Sequence, residues 1–301
     1  MTEVTCEPGT VPGRVVAGYG RRMLVEDAAG ERHRCISRGR RLRAVCGDRV
    51  CWQAGGRDGV VTAIAPRTAE LTRPDKRGRK EVLAANMSCV VVVAAPSPTP
   101  DAFIVDRYLA AAHFMGVDSV VVFNKQDLPE AEPAWLEQYE KAGYAALPVS
   151  AKSGAGLDRL SALMTAHTSI LVGQSGVGKS SLLNALVPDL DLATQSLSTA
   201  SGEGRHTTTA SVLHHTPASG DIIDSPGVRD YAPAPVPAAD VHRGYREFLP
   251  LLGTCRFANC RHRAEPDCAI KQAADRGDIA PRRYESYRRL LRLMENLAGS
   301  A

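Results

Sequence analysis

A glycine-rich segment near the middle of the chain has residue types that could hold a phosphate group. Residues 173–180 read GQSGVGKS, which fits the phosphate-loop pattern GxxxxGK[ST], between a strand-like SILV and a helix-like SSLLNAL. Glycines let backbone N–H groups wrap a β-phosphate, and the helix N-terminus adds a favourable dipole. We expect Lys179 to reach the β- and γ-phosphates and Ser180 to ligate Mg²⁺, the alternative being a structural turn. The predicted contacts are Gly173, Gln174, Ser175, Gly176, Val177, Gly178, Lys179, Ser180 and Ser181.

Two further motifs indicate which base accompanies the phosphates. NKQD follows a strand-like VVVF, and SAK follows a strand-like ALPV. The Asp127 carboxylate can accept hydrogen bonds from the ring N–H and exocyclic amine of guanine, a donor pair that adenine lacks. NKxD alone is often a helix cap, but its position after a strand and its pairing with SAK favour guanine. We expect Asn124 to brace the site, the Lys125 stem to lie along the base and the Ala151 N–H to meet the guanine carbonyl. The predicted guanine-side contacts are Asn124, Lys125, Asp127, Ser150, Ala151 and Lys152.

A third group of residues could complete a magnesium site and sense a γ-phosphate. DSPG at 224–227 follows a strand-like DII, so Asp224 can hold Mg²⁺ through water and the Gly227 N–H can sense the γ-phosphate. GRHTTT at 204–209 lies between this motif and the phosphate loop, and its Thr207 or Thr208 is placed to complete the Mg²⁺ shell. By itself, a threonine cluster usually marks only an edge strand or a loop.

The residue after the DxxG glycine bears on catalysis. It is Val228, whereas Ras-like enzymes place a water-orienting glutamine there, so hydrolysis by the free protein should be slow. His206 is our candidate for orienting water, and the alternative is that it packs or contacts RNA. The candidate catalytic residues are His206, Thr207, Thr208 and Gly227.

The motifs occur in an unusual order along the chain. Ordinary GTPases run phosphate loop, threonine switch, DxxG, NKxD and SAK, whereas here NKxD and SAK come first. The same sheet can form if the usual ends are joined and the chain is opened after the DxxG strand, since domain termini often lie close together. The second switch, at 224–231, then leads directly into the C-terminal domain. We hypothesise that a γ-phosphate-dependent shift of Gly227 pulls on that domain.

Four soft ligands lie close together near the C-terminus. The sequence C-x4-C-x-H-x5-C supplies three thiols and one imidazole, which close a tetrahedron without an open position. This set predicts structural Zn²⁺ rather than catalytic Zn²⁺, and the alternative is a coincidence of helical His and Cys. The remaining cysteines, at 6, 35, 46, 51 and 89, are interpreted as buried small residues. The predicted zinc ligands are Cys255, Cys260, His262 and Cys268.

Hydrophobic patterning divides the chain into three domains that would position these residues. Five short strands up to residue 65 predict a barrel of the OB type, with expected strands at 13–17, 21–26, 31–37, 48–54 and 59–65. The charged run at 73–80 is interpreted as a linker or flexible loop. Strands alternating with helices then predict a mostly parallel sheet, followed by a proline spacer at 232–239 and a helical end with a helix at 281–298. One side of that helix is expected in the core, and its arginines are expected on a solvated face or against RNA phosphates. The core side has Tyr284, Tyr287, Leu291, Met294 and Ala298, and the arginines are Arg282, Arg283, Arg288, Arg289 and Arg292. The fold class is therefore α/β, with an OB-type barrel (1–70), a circularly permuted phosphate-loop GTPase domain (71–232) and a helical zinc-binding domain (233–301).

Charge and composition limit the partners. Of 301 residues, 44% are hydrophobic, which excludes a disordered chain, and the longest apolar run is too short to span a membrane. Residues 1–80 hold 17 Lys and Arg against 9 Asp and Glu, and residues 276–292 hold six Arg against two acidic residues. Two basic ends predict a polyanionic partner, and the alternative is that the arginine-rich surfaces only keep the protein soluble. We see no secretory signal, so we expect a cytoplasmic, monomeric protein.

Nearly the whole chain resembles the circularly permuted GTPases that assist small ribosomal subunit maturation, the RsgA (YjeQ) type. The matching segments are AANMSCVVVVAAP at 84–96, FNKQDL at 123–128, VSAKSG at 149–154, GQSGVGKSSLLNAL at 173–186, GRHTTTAS at 204–211, DIIDSPGVRDY at 221–231 and the Cys/His set. The resemblance implies slow GTP hydrolysis stimulated by the subunit, rRNA binding and release from a late precursor once it is mature. It also supports the water-orienting role of His206.

Other functional classes stay open at this point. A GTP-dependent RNA-binding scaffold with negligible turnover is the main alternative, and turnover with and without ribosomal subunits separates it from an enzyme. A phosphate-loop kinase or ATPase is disfavoured by NKQD with SAK, and competition of bound GTP by ATP tests it.

Overall fold

The computed structural model describes residues 5–39, 41–74, 80–129, 134–187, 211–224 and 236–299. The chain divides into two compact units, each built from three stretches of sequence. The first unit comprises residues 1–89, 161–171 and 180–232, and the second comprises 90–160, 172–179 and 233–301. No helix in the described parts of the chain has both the length and the apolar character that a bilayer crossing requires.

The first unit begins with a closed barrel of five strands. Strand β1 pairs with both β2 and β4, and β5 pairs with both β3 and β4, which closes the ring. Inward positions such as Val15, Val50 and Val61 are fully buried, so the alternation of apolar residues decides which face is inside. The OB-type prediction is confirmed, with small shifts at the strand ends. The strands are β1 (Val11–Tyr19), β2 (Arg22–Glu26), β3 (Arg32–Ser37), β4 (Arg49–Gln53) and β5 (Gly59–Ile64).

A hairpin follows the barrel where the sequence predicted a linker. Strands β6 (Glu70–Pro74) and β7 (Lys80–Ala85) pair antiparallel, so the interpretation of 73–80 as a linker or flexible loop is wrong at both ends. The charged run concealed the strands because the buried residues that anchor them, Leu71 and Ala84, lie outside it. The barrel approaches β7 so closely that a Cβ on Gly47 would lie 2.0 Å from the Ala85 carbonyl oxygen.

Three strands of the first unit extend the sheet from the barrel. They are β11 (Thr168–Val172), β12 (Ser211–His215) and β13 (Asp221–Asp224). Strand β13 runs parallel to β11 and antiparallel to β12, and β12 pairs antiparallel with the far end of β1. Strand β1 therefore belongs to both the barrel and this sheet, which explains why it is longer than predicted.

The second unit contains the strand order β10-β9-β8, with β9 and β10 parallel. Every residue of β8 is buried, as the continuous apolar run predicts for a covered parallel sheet. The Asp101 side chain caps α1 by accepting the N–H groups of Phe103 and Ile104, and Gly116 ends the helix in the left-handed region. The elements are β8 (Cys89–Ala94), α1 (Ala102–Met115), β9 (Asp118–Phe123), α2 (Ala134–Lys141), β10 (Ala145–Pro148) and α3 (Leu157–Met164), whose second half belongs to the first unit. Helix α4 (Lys179–Leu186) follows the phosphate loop and belongs to the first unit from Ser180 onward.

The C-terminal part of the second unit is helical, as predicted. Two 3₁₀ helices (Val241–Gly244 and Arg246–Leu251) precede α5 (Ala269–Arg276) and α6 (Pro281–Gly299). Tyr245, Phe248 and Tyr287 form an aromatic core that packs with Ala110 of α1.

The predicted sides of α6 need two corrections. Tyr287, Leu291 and Met294 are buried as expected, whereas Ala298 is exposed in the last turn of the helix. Arg283 was expected on the solvated or RNA-facing side, but its side chain is buried because it is paired with carboxylates.

The cysteine prediction is correct in part. Cys35, Cys46 and Cys89 are buried and not disulfide-bonded, but Cys6 and Cys51 form a disulfide between the N-terminal segment and β4. A sequence separation of 45 residues hides the proximity of these two cysteines from any local pattern.

Candidate nucleotide site and metal centre

The phosphate loop adopts a conformation that two of its glycines make possible. Gly173 has φ +144°, and a Cβ there would lie 2.1 Å from the Val93 carbonyl oxygen. Gly178 has φ +93°, and a Cβ there would lie 2.4 Å from the Asn124 amide nitrogen. The Lys179 ammonium donates to the carbonyl oxygens of Gly173 (2.7 Å) and Gln174 (2.6 Å). The lysine is thus held across the loop, where a cation would meet phosphate oxygens.

The buried Asn124 joins three motifs that are distant in sequence. Its amide nitrogen donates to the Val177 carbonyl oxygen (2.9 Å), and its amide oxygen accepts the Ala151 N–H (3.1 Å). Lys125, with φ +65°, donates from Nζ to the carbonyl oxygens of Ser97 (2.6 Å) and Gly176 (2.7 Å). The structure therefore brings NKQD, SAK and the phosphate loop together despite their reversed order. The Ala151 N–H, expected to meet guanine, donates to Asn124 here.

Asp127 presents a carboxylate that is ready to accept hydrogen bonds. Its Oδ1 accepts the hydroxyl of the buried Ser150 at 2.6 Å, and Lys152 Nζ lies 3.9 Å from Oδ2. The Ser150 hydrogen bond lowers the pKa of Asp127, with a further contribution from the charge of Lys152. The carboxylate is exposed and ionised at neutral pH, so it can act only as an acceptor toward a base edge.

The remaining predicted site residues differ in how they are placed. Ser180 and Ser181 are exposed in the first turn of α4, and Asp224 is exposed at the end of β13. The predicted catalytic residues His206, Thr207, Thr208 and Gly227 lie outside the described residues.

One contact of the phosphate loop was not foreseen from the sequence. The Gln174 side-chain oxygen accepts the backbone N–H of Asp101 at 2.9 Å, so the loop touches the N-terminus of α1. An aspartate before a long apolar helical run is a recognisable capping signal, which could have singled out Asp101 but not its partner.

The predicted metal ligands converge in the second unit. The ligand atoms of Cys255, Cys260, His262 and Cys268 all lie within 4.8 Å of one another. His262 Nδ1 lies 3.5 Å from the Cys255 sulfur and 3.4 Å from the Cys268 sulfur, and these two sulfurs are 4.0 Å apart. A tetrahedral zinc ion requires separations of about 3.5 Å between N and S and about 3.8 Å between two sulfurs. The donor set and its spacing therefore fit such an ion.

Surrounding groups hold the cluster in shape. Burial would raise the pKa of Glu265, but backbone N–H groups of Arg261, Arg263 and Ala264 lower it to about 2. Tyr284 and Tyr287 of α6 donate to the carbonyl oxygens of His262 (2.7 Å) and Arg261 (2.6 Å).

Burial sets the protonation of the cluster residues. It lowers the pKa of His262 to about 4, which keeps the imidazole neutral and able to ligate. It also raises the pKa of Cys260 to about 12, so this thiol ionises at neutral pH only if a cation offsets the charge.

Comparisons with known proteins agree with this geometry. The model of the RsgA GTPase family matches residues 64–233. The small ribosomal subunit biogenesis GTPase RsgA of Azotobacter vinelandii is 46% identical over 289 residues, covering 93% of this chain and 84% of the relative. RsgA of Pseudomonas aeruginosa is 45% identical, covering 94% and 85%.

Two solved structures share the fold over almost their whole length. YjeQ from Thermotoga maritima has a TM-score of 0.74 at 30% identity, with 95% of this chain and 98% of that chain covered. YloQ, described as a circularly permuted GTPase, also has a TM-score of 0.74, at 25% identity and 95% and 96% coverage. The chain therefore belongs to the RsgA GTPase family.

Proposed function

We propose that this chain binds and hydrolyses GTP in the cytoplasm as an assembly factor in late maturation of the small ribosomal subunit. It binds the rRNA of the subunit and leaves after hydrolysis. The observation that carries the proposal is the convergence on Asn124 of the phosphate loop, through Val177, and of SAK, through Ala151. The relatives that carry the name small ribosomal subunit biogenesis GTPase supply the partner.

The nucleotide would lie between the phosphate loop and the guanine motifs. Backbone N–H groups of 173–181 would hold the β-phosphate, and Lys179 would exchange its two carbonyl partners for phosphate oxygens. Asp127, ionised and already oriented by Ser150, would accept the two N–H donors of guanine. Ala151 would turn its N–H from Asn124 to the guanine carbonyl, and Lys125 would lie along the base.

The magnesium ion that accompanies GTP would neutralise charge on the β- and γ-phosphates. Ser180, Thr208 and Asp224 would hold it. The Gly227 N–H would sense the γ-phosphate, His206 would orient the attacking water, and Thr207 is the alternative to Thr208 in the magnesium shell. Because Val228 replaces the glutamine of Ras-like enzymes, the free protein would turn over slowly and the subunit would accelerate it.

The cluster of Cys255, Cys260, His262 and Cys268 would hold one structural zinc ion. Its four ligands leave no position open for a substrate, so the ion would stabilise residues 255–268 rather than take part in hydrolysis.

Turnover of GTP with and without purified small ribosomal subunits tests the proposed function. Subunits should raise the rate by at least about tenfold, as when a partner completes a GTPase site. A rate that stays negligible in both conditions, with GTP still bound, would instead favour the RNA-binding scaffold. Displacement of bound GTP by equimolar ATP would favour a kinase or ATPase.

Replacement of Asp127 by asparagine tests the guanine site. The amide can still accept the Ser150 hydroxyl, but it offers guanine a donor where an acceptor is needed, so GTP affinity should fall by about 100-fold or more. Xanthosine triphosphate carries a carbonyl in place of the exocyclic amine and should bind the variant better than GTP does. Asp158→Asn, on the exposed side of α3, is the matched control and should leave both affinities unchanged.

Metal analysis of the purified chain tests the zinc site. We expect about one zinc ion per chain, and Cys260→Ser should lose most of it on dialysis against a chelator. Cys35→Ser, at a buried free thiol of the barrel, is the control that should keep it. A wild-type chain without zinc would contradict this assignment.

A further inference from the structure

A single arginine of the barrel contacts the first residues of two strands that lead to predicted nucleotide motifs. Arg14 of β1 donates from Nη1 to the Asp221 carboxylate (2.5 Å) and from Nη2 to the Thr168 hydroxyl (2.7 Å). Thr168 begins β11 and Asp221 begins β13, and these two residues are opposite each other in the parallel pair. The planar guanidinium of Arg14 has several donors in a fixed geometry, so it holds Asp221 and Thr168 in place better than an ammonium group would.

His215 also connects the barrel to β13, because it contacts both Asp221 and Glu26 of β2. His215, the last residue of β12, contacts Asp221 Oδ1 through Nδ1 (2.7 Å) and Glu26 Oε1 of β2 through Nε2 (2.9 Å). Hydrogen bonds to Asp221 and then to Glu26 raise the pKa of His215 to about 9, so the ring is charged and donates from both nitrogens at neutral pH. We call Arg14, Glu26, Thr168, His215 and Asp221 the Arg14 cluster.

The Arg14 cluster lies at the N-terminal ends of β11 and β13, and the C-terminal ends of these strands reach two predicted nucleotide motifs. Strand β13 runs from Asp221 to Asp224, the first residue of DSPG, and β11 runs from Thr168 to Val172, directly before the phosphate loop. Ladder hydrogen bonds join β1 to β12, β12 to β13 and β13 to β11. A displacement of β1 should therefore be carried to both motifs rather than absorbed by a loop.

We infer that Arg14 is a positioning residue for the stimulated hydrolysis alone. It couples the barrel to β11 and β13, so that RNA bound to the barrel acts on Asp224 and on the phosphate loop. This inference rests on the proposed function. It assigns to the barrel a part in subunit-stimulated hydrolysis in addition to binding.

The test compares Arg14→Met with the wild-type full-length chain for GTP affinity, intrinsic turnover and subunit-stimulated turnover. The first two should stay within about twofold, because the variant leaves the guanine contacts and Lys179 in place, while stimulated turnover should fall about tenfold. Arg14→Lys keeps one charge opposite Asp221 but lacks the planar pair of donors that holds Asp221 and Thr168 in a fixed geometry, so it should recover stimulation in part. Asp221→Asn should cost less stimulation when added to Arg14→Met than when made in the wild-type chain, since part of its effect acts through Arg14.

Arg67→Met is the matched control for damage to the barrel. Arg67 also makes charged hydrogen bonds, to Asp48 (2.7 Å) and Glu70 (3.0 Å), but neither residue belongs to β11, β12 or β13. Its stimulated turnover should match the wild type at a temperature where both variants are folded.

Three outcomes would overturn the inference. In the first, Arg67→Met loses as much stimulation as Arg14→Met, which would make barrel stability the cause. In the second, Arg14→Met and Arg14→Lys are stimulated as strongly as the wild type, which would show that the contact transmits nothing. In the third, the wild-type chain itself is not stimulated, which would overturn the proposed function and the inference together.

Discussion

Two arginines connect flanking parts of the chain to the GTPase segments, and they do so in opposite surroundings. In the second unit, Arg283 of α6 contacts Asp106 of α1, with side chains 1% and 0% exposed. In the first unit, Arg14 of the barrel contacts Asp221 of β13, with side chains 26% and 18% exposed. The chemistry of the two pairs is the same, so burial alone decides whether the contact is permanent or adjustable.

The buried pair is part of a larger network in which only Arg282 reaches the solvent, with a side chain that is 34% exposed. Arg283 also donates from Nε to Glu247 (2.6 Å), and its guanidinium lies over the rings of Tyr144 and Tyr245. Arg282 donates to the second oxygen of Asp106 at 2.7 Å. Every charge has a partner, which is the condition under which buried ions are tolerated.

This network bears on the hypothesis that the second switch pulls on the C-terminal domain. The network fixes α6 to α1, and the N-terminus of α1 contacts Gln174 of the phosphate loop. A γ-phosphate-dependent displacement of residues 236–299 relative to α1 would have to separate buried charges. The Arg14 cluster carries no such penalty, and it is therefore the place where we expect nucleotide state and domain position to be coupled.

The largest effect should come from breaking the buried pair. Asp106→Asn leaves Arg283 and Arg282 short of a negative charge and should lower the free energy of unfolding of the second unit by about 3–5 kcal/mol. Each unit contains one of the two tryptophans, Trp52 in the barrel and Trp135 on α2. In a Trp52→Phe background, the urea unfolding transition of Trp135 should therefore move.

Trp135 is well placed for this measurement because its ring lies 4.9 Å from that of Tyr139, over which Arg282 and Arg283 stack. Asp118→Asn, an exposed aspartate at the start of β9, is the control and should shift the midpoint little. If both variants behave alike, the network does not stabilise the unit, and the contrast between the two arginines disappears.

The sequence predicted the candidate site better than it predicted these connections, for a physical reason. Phosphate and guanine recognition depend on short motifs at strand ends, and the strands before Asn124, Ser150 and Gly173 are recognisable from continuous apolar residues. The order of motifs implied convergence on one site, and the contact of Asn124 with Val177 shows it for the described residues.

Long-range pairings left no such local trace. Arg283 and Asp106 are 177 residues apart. The hydrophobic pattern of each helix accounts for that helix by itself and gives no sign of the other residue. Charge composition placed Arg283 on the surface because arginine is seldom buried, and only its carboxylate partners make the exception possible. Strand β12 was missed for a similar reason, since SVLHH is short and becomes a strand only between β1 and β13.

A smaller effect should follow from removing Arg14, whose side chain is only partly buried. Arg14→Met should lower the free energy of unfolding of the first unit by about 1–2 kcal/mol, because Asp221 keeps its hydrogen bond to His215 and water screens the rest. This loss is measured from the urea unfolding transition reported by Trp52 in a Trp135→Phe background. The difference between variant and wild type should shrink in 1 M NaCl, where the screening length is about 3 Å.

Salt should distinguish the two arginines, because the loss of unfolding free energy caused by Asp106→Asn should not change with salt concentration. An Arg14→Met cost as large as that of Asp106→Asn, or one independent of salt, would mean that the Arg14 cluster is as rigid as the buried network. Coupling through an adjustable contact would then lose its basis.

The smallest expected effect is a pH dependence confined to the first unit. The pKa of His215 is raised to about 9 in the folded chain, against about 6.5 when unfolded, by Asp221 and Glu26, with Arg14 and Arg32 as the nearby cations. A raised pKa stabilises the fold fully below pH 6.5, and the stabilisation is lost as the pH rises through 9.

Because the His215 side chain is 47% exposed, solvent screening reduces the loss to about 1 kcal/mol. It is measured as the difference between wild type and His215→Asn in the Trp52 unfolding free energy, from pH 6 to pH 9.5. Burial raises the pKa values of Glu26 and Asp221, but His215 together with a neighbouring arginine, Arg32 for Glu26 and Arg14 for Asp221, outweighs it and lowers both. These carboxylates therefore stay ionised throughout that range. A difference that stays constant over the range would show that His215 is uncharged in the fold. The barrel would then depend on Arg14 alone for its charged contact with β13.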